Sequence, residues 1–274
     1  MRSILFFPGN RPELLAKALA SGADAICADL EDAIPPSEKG NARTALDSAV
    51  QELPDPREGP PLFIRINPPG TPEGMADLET LGGLGTRLHG ILVPKAEDAG
   101  VLRSLSQGPS APVARIPILP LIETPRGLEA APEIAGAAGP RGALILGGVD
   151  LALELGADRS WEALLYARSR VVHAAAMGEV PAIDMPHMEP KKLEDLREEA
   201  RRARSLGFQG KLAIHPGQIA VIHRTFTPSA RELDWARRVV EAGDGATGPV
   251  VVDGSLVDRP VLLRARQILA AGEP

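Results

Sequence analysis

Short apolar runs alternate with longer stretches of helical period from one end of the chain to the other. The runs cover residues 3–7, 25–28, 62–66, 90–93, 116–122, 143–146, 181–183 and 212–214. Most are unbroken rather than alternating, the pattern of strands covered on both faces. Their number, about eight, is the one that closes a parallel barrel. Within 192–206, Leu193, Leu196, Ala200, Ala203 and Leu206 recur at helical spacing with charges between them. Trp161, Leu164, Leu165, Val171, Val172 and Ala175 stripe a second helix. Thr71-Pro72, Thr124-Pro125 and Thr227-Pro228 each set a capping hydroxyl before a proline suited to the first helical turn. Such strand–helix alternation predicts an α/β fold, a (β/α)₈ TIM barrel over residues 1–222. The Pro-rich residues 54–61 read as one loop. Residues 223–274 exceed a minimal barrel. They predict a helix over about 228–242, an apolar stretch at 250–252, a turn at Asp253-Gly254 and a last helix near 260–271. This C-terminal helical extension is expected to cap the barrel or to reach a neighbouring subunit.

The length of 274 residues is close to the roughly 250 of one such barrel. No apolar run approaches the roughly 18 residues of a membrane span. The first run is too short for a signal-peptide core and reads better as a strand, so a cytoplasmic enzyme is expected. Cys27 is the only cysteine, which excludes an intrachain disulfide and a Cys-based zinc site. Its place in Ala25-Ile-Cys-Ala is that of a small buried hydrophobe. A net charge of −6, no basic tract and only 3% aromatic residues argue against a nucleic-acid partner.

In a barrel of this kind the functional groups sit at the carboxyl ends of the strands. Those ends supply Asp29, Glu31 and Asp32 after the second run, and Arg65 and Asn67 at the third. Lys95 follows the fourth, Glu123 the fifth and Asp150 the sixth. Asp184 and His187 follow the seventh, and His215 the eighth. Glu123 and Asp150 together suit a hard divalent cation, because Mg²⁺ takes one or two carboxylates and fills its remaining positions with water and substrate oxygens. Helix capping or an ion pair is the plainer role for each. Arg65 lies inside Phe63-Ile-Arg-Ile-Asn, where a guanidinium needs a partner: a substrate carboxylate or enolate oxygen, or a structural pair with Glu31 or Asp32. The two roles are compatible. His215, in Ile214-His-Pro-Gly-Gln, is expected to orient a loop. The glycines of Gly147-Gly complete neither a dinucleotide fingerprint nor a phosphate loop, and no G-x-S-x-G elbow is present.

An ordered set of segments resembles the citrate lyase β subunit family, within the wider HpcH/HpaI aldolase and citrate lyase superfamily. They are Arg2-Ser-Ile-Leu-Phe-Phe-Pro-Gly-Asn-Arg, Asp29-Leu-Glu-Asp-Ala, Ile64-Arg-Ile-Asn, Val93-Pro-Lys-Ala-Glu, Leu121-Ile-Glu-Thr, Gly147-Gly-Val-Asp-Leu and Ala213-Ile-His-Pro-Gly-Gln-Ile, with Asp253-Gly-Ser-Leu-Val-Asp in the extension. The resemblance implies a TIM barrel, often a homotrimer, with Mg²⁺ held by Glu123 and Asp150. It also implies that Arg65 meets the substrate, with Glu31 and Asp32 supporting the site. The implied reaction is a retro-Claisen cleavage of a citryl-, malyl- or citramalyl-type thioester to an acetyl thioester and an α-keto acid. Asp258 in the extension is the candidate general base, supplied by a neighbouring subunit; capping of the last helix is its alternative role. Val149 stands where relatives often carry a polar or acidic residue, and Gly217 where they carry a side chain after His-Pro. Both departures bear on substrate and acyl carrier rather than on the metal. The chain is too short to contain a carrier-protein domain, so any thioester carrier is expected to come from outside. Other expectations compatible with these residues are a class II aldolase acting on a free hydroxy-keto acid, a Claisen-type synthase, and a subunit active only with partner subunits.

Overall fold

The computed structural model describes residues 1–53, 59–84, 87–106, 116–246 and 248–272, so residues 54–58 of the expected Pro-rich loop lie outside the described residues. Eight strands close into a parallel barrel: β1 (Ser3–Pro8), β2 (Ala25–Asp29), β3 (Leu62–Arg65), β4 (Gly90–Val93), β5 (Ile118–Ile122), β6 (Leu144–Leu146), β7 (Ala182–Asp184) and β8 (Gly210–Ala213). Closure is made by β8 lying beside β1, with Ser3 opposite Lys211 and Leu5 opposite Ala213. Helices follow the strands and cover them outside, the arrangement of a TIM barrel. Thr71 and Thr124 cap their helices through bonds from the Gly74 and Gly127 amides, each 3.0 Å. The third expected cap is displaced: Ser229, not Thr227, opens the helix Ala230–Gly243, in a reciprocal capping box with Glu232.

Side chains alternate across the barrel wall. Ile4, Cys27, Phe63, Leu92, Leu119, Leu121, Ile145, Ile183 and Leu212 fill the interior. Cys27 is fully buried there, and burial pushes its thiol well above the ordinary range, which leaves it without thiolate chemistry. Neighbours of inward residues face the helices. Asp184 and Lys211 are therefore not rim residues, a correction to the expectation for Asp184. The Lys211 ammonium lies 2.6 Å from Asp184 Oδ2 and bonds Glu199 Oε1, while Arg168 Nε donates to Asp184 Oδ1 at 3.2 Å. His187 belongs to the same network through Glu199 Oε2, 2.9 Å from Nδ1. Trp161 lies before the helix Leu165–Met177 rather than within its stripe, and the guanidiniums of Arg168 and Arg202 both lie 4.4 Å from the centre of its ring system. Lys211→Ala removes the lysine from Asp184 and Glu199 and leaves both to Arg168, and removing one member of a buried ion pair costs about 3–5 kcal/mol. A matching fall in stability in urea denaturation is the expected result.

By its internal contacts the chain divides into Met1–His223 and Arg224–Pro274. The second unit contains the helices Ala230–Gly243 and Arg259–Gly272 and a two-stranded hairpin, β9 (Val250–Val252) with β10 (Ser255–Val257). Asp253 and Gly254 both have positive φ, 52° and 77°, as a tight hairpin turn with right-twisted strands requires. Ala236, Val239, Val252, Val257, Ala265 and Ile268 form its own apolar core.

Candidate active site

The mouth at the carboxyl ends of the strands holds a cavity of about 560 Å³, in the size range of small-molecule sites. Its polar lining side chains are Asp29, Asp32, Arg65, Glu123 and Asp150. Phe6, Leu121, Val149, Met188, Leu212 and Ile214 supply much of the apolar wall.

Glu123 follows the last residue of β5 and is only 2% exposed. The Lys95 amide donates to its Oε1 at 2.8 Å. Opposite, a Cβ at Gly147 would fall 2.4 Å from the Glu123 Cβ and 2.5 Å from Oε2, so only glycine allows this approach. The Gly147-Gly pair thus serves close packing around a carboxylate. Burial, and next the charge of Glu31, push the Glu123 carboxyl up to about 8, with Asp150 adding to the effect against the Lys95 amide. Asp150 stands in the first turn of the helix Gly148–Leu155, half-buried, where the helix dipole favours an anion.

Arg65 ends β3 with its guanidinium 12% exposed. Nε and Nη2 form a two-pronged fork onto Asp29, at 2.8 and 2.6 Å. Nη1 lies 2.9 Å from Glu31 Oε2 and 3.1 Å from Asp32 Oδ2. Burial works against its charge, yet Asp29, then Glu31 and Asp32, hold its pKa above the ordinary arginine value. The fork onto Asp29 is the main anchor, which the sequence pattern placed at the rim but assigned no partner. Asp29 is fixed in turn by the Glu31 and Ala33 amides, which donate to its two oxygens at 2.9 and 3.1 Å.

Glu31 sits behind this layer, 5% exposed, and its Oε1 accepts from Lys95 Nζ at 2.9 Å. Lys95 was visible only as a rim residue. Its side chain reaches Glu31 and its backbone reaches Glu123, so it links the arginine cluster to the buried carboxylate. Its φ of 48° is unusual for a side-chain-bearing residue. Lys95→Gly keeps the amide and relieves the backbone, while Lys95→Ala keeps the strain. Both lose the ammonium, and the glycine variant is expected to be about 1 kcal/mol the more stable in chemical denaturation.

His215 caps the short helix Pro216–Gln218, its Nδ1 accepting from the Gly217 amide at 3.0 Å, while Gln218 Oε1 accepts from the Ile214 and His215 amides. Asp258 lies in the second unit, exposed, and its Oδ1 accepts from the Val261 amide at 3.2 Å at the start of the last helix.

Among the described residues no group of three or more His, Cys, Asp and Glu is placed to enclose a metal ion. A cation here would therefore rest on two carboxylates with open positions. Glu123 and Asp150 fit that need, being hard oxygen donors at one cavity in a surplus of negative charge.

The model of the HpcH/HpaI aldolase/citrate lyase family matches residues 2–216. The chain belongs to this family. A citrate lyase subunit beta-like protein of Mycobacterium tuberculosis is 37% identical, covering 98% of this chain and 95% of its own. A (3S)-malyl-CoA thioesterase of Cereibacter sphaeroides is 34% identical over 99% of this chain and 94% of its own. The crystal structure of CitE from M. tuberculosis in complex with magnesium, acetoacetate and coenzyme A superposes with a TM-score of 0.82 at 34% identity, covering 99% of this chain and 97% of that one. Among the described residues no helix is long and apolar enough to cross a membrane.

Proposed function

We propose that this family member is a Mg²⁺-dependent carbon–carbon lyase that cleaves a 3-hydroxy-acyl thioester of the citryl, malyl or citramalyl type into an acetyl thioester and an α-keto acid. The observation that carries the proposal is the pairing, at one cavity, of two carboxylates with a buried arginine. Magnesium and coenzyme A in the mycobacterial structure, and a malyl-CoA enzyme among the relatives, support it. Glu123 and Asp150 would hold the ion, which supplies positive charge for the substrate's hydroxyl and carboxylate oxygens.

The remaining steps fall to the protein's own side chains. A base takes the hydroxyl proton; Asp258 is the proposed base, contributed by a neighbouring copy in a homotrimer. The O–H electrons become the keto C=O, the C–C bond breaks, and its pair moves into the thioester as an enolate. Nε and one Nη2 hydrogen of Arg65 donate to Asp29 and one Nη1 hydrogen to Asp32, with Glu31 in ion-pair contact with Nη1, which leaves the second Nη2 hydrogen for that enolate oxygen. Protonation at carbon completes the acetyl thioester. Asp29, Glu31 and Asp32 hold the guanidinium in place so that little reorganisation accompanies the charge shift.

The test is incubation of the purified chain with citryl-, malyl- and citramalyl-CoA and Mg²⁺, following acetyl-CoA and keto acid together. Formation of both supports the lyase. Free CoA with an intact hydroxy acid points instead to thioester hydrolysis, the activity in the name of the Cereibacter relative. No turnover with any thioester counts against both, and activity regained only with carrier and transferase subunits would assign a subunit role.

A further inference from the structure

Resting on the lyase reading, we infer that the keto acid released here carries a single carboxylate, so that the cavity selects malyl- and citramalyl-type thioesters against citryl-type ones. The three keto acids differ only in the substituent on the carbonyl carbon: hydrogen, methyl, or a methylene bearing a second carboxylate. The bonds broken and formed are the same in each case, so the wall that meets the substituent decides between them.

That wall offers an anion nothing. Among the lining side chains four are carboxylates, Asp29, Asp32, Glu123 and Asp150, and one is a cation, Arg65. With all four ionised, as when a divalent cation is held by Glu123 and Asp150, the guanidinium and that cation together still leave an excess of one negative charge. Arg65 is already committed: Asp29 holds its fork, Glu31 and Asp32 lie against Nη1, and the second Nη2 hydrogen is assigned to the enolate oxygen. Lys95, the next cation, does not line the cavity and is held by Glu31. Every other lining side chain is hydrocarbon, thioether or glycine, so none donates a hydrogen bond.

One carboxylate is provided for. The first-turn amides of the helix Gly148–Leu155 have no acceptor within their own helix, and Gly148, Val149 and Asp150 line the same cavity. A second carboxylate would face Leu121, Val149, Met188, Leu212 or Ile214, or one of the acids. An anion taken from water without a partner is strongly disfavoured, whereas hydrogen or methyl is at home there. Val149 is the specific position: adjacent to Asp150, it puts an isopropyl group where a polar side chain would have offered a donor.

The experiment compares kcat/KM for the three CoA thioesters with the purified full-length chain and Mg²⁺. It also titrates glyoxylate, pyruvate and oxaloacetate into the Mg²⁺-loaded protein by calorimetry. Citryl-CoA is expected to lag the better of the other two by on the order of 10²-fold or more, since apolar pockets reject even a hydroxyl isostere by about that factor. Pyruvate is expected to bind more tightly than oxaloacetate. A citryl-CoA rate equal to the others overturns the inference and leaves the lyase intact. If no thioester is cleaved, the lyase reading falls and the titrations decide alone. Oxaloacetate binding as tightly as pyruvate, or no binding of any keto acid, then overturns the inference too.

Discussion

Glu123→Gln is expected to abolish Mg²⁺-dependent turnover, by roughly 10³-fold or more, while making the metal-free protein more stable above neutral pH. The first half follows from the donor set. In the proposed site only two carboxylates would serve the ion, and the loss of one removes several kcal/mol of charge stabilisation, at 1.36 kcal/mol per tenfold in rate. The second half follows from the carboxyl's environment. Its pKa is pushed up from 4.5 to about 8, by burial first and by Glu31 next. In the window between those values the folded state binds the proton more tightly than the unfolded chain does. Stability conferred on the protonated form therefore falls as pH rises through the window, and levels off above about 8. The total is roughly 3–5 kcal/mol, and glutamine, which carries no charge to bury, escapes it. Thermal melts in a chelator should show the wild type losing stability between about pH 5 and 8 relative to the variant. Added Mg²⁺ should restore the wild type and not the variant. Because the ion must displace the proton, Mg²⁺ binding below pH 8 should release protons, seen as a binding heat that depends on the buffer. A Glu123→Gln protein with unchanged Mg²⁺ affinity would remove Glu123 from the metal site.

What could be read from the sequence, and what could not, divides along a physical line. Buried parallel strands write themselves as unbroken apolar runs, and all eight runs correspond to strands of the barrel. The boundary of β8 was misplaced because Gly210 and Lys211 interrupt the apolar pattern. Lys211 is fully buried as one pole of an ion network, and hydrophobic periodicity has no sign for a charge neutralised by distant residues. The same blindness affected Asp184 and His187. Counting to the end of a strand places a residue at the rim, but only the alternation of Ile183 inward and Asp184 outward shows which side of the wall it occupies. Glu123 and Asp150 were legible because each directly follows or closely trails a strand and opens onto the mouth. The Arg65–Asp29 fork was not, since three acids, Asp29, Glu31 and Asp32, crowd the end of β2 and nothing local tells which carboxylate meets the guanidinium. Lys95 was hidden more deeply. Its backbone amide is one of its two functional groups, and its positive φ leaves no trace in a residue type that ordinarily avoids that conformation.

Arg65 tests how far positioning and chemistry are joined. Arg65→Lys keeps a positive charge but loses the planar fork, so Asp29 would exchange two parallel bonds for a single contact. Arg65→Ala leaves Asp29 and Glu31, each about 5% exposed, as buried carboxylates without the guanidinium, and Glu31 keeps only Lys95. Loss of one partner from such a pair costs about 3–5 kcal/mol, so the alanine protein is expected to be clearly destabilised and the lysine protein less so. Glu31 already carries a raised pKa, from burial first and against the pull of Arg65, and removal of the guanidinium should raise it further. Stability of Arg65→Ala should consequently recover as pH falls toward the acid range, where the Glu31 carboxyl takes up its proton. Activity should separate the two roles. If the guanidinium serves only as a strut, Arg65→Lys, once folded, would retain most of its kcat. If it also meets the enolate oxygen, kcat should fall by about 10²–10³-fold in both variants, the usual loss for an oxyanion donor. Mg²⁺ affinity, assigned in the proposal to Glu123 and Asp150, should change far less. Denaturation curves across pH, together with kcat and Mg²⁺ titration on both variants, separate a support for the acidic layer from a group that receives developing charge.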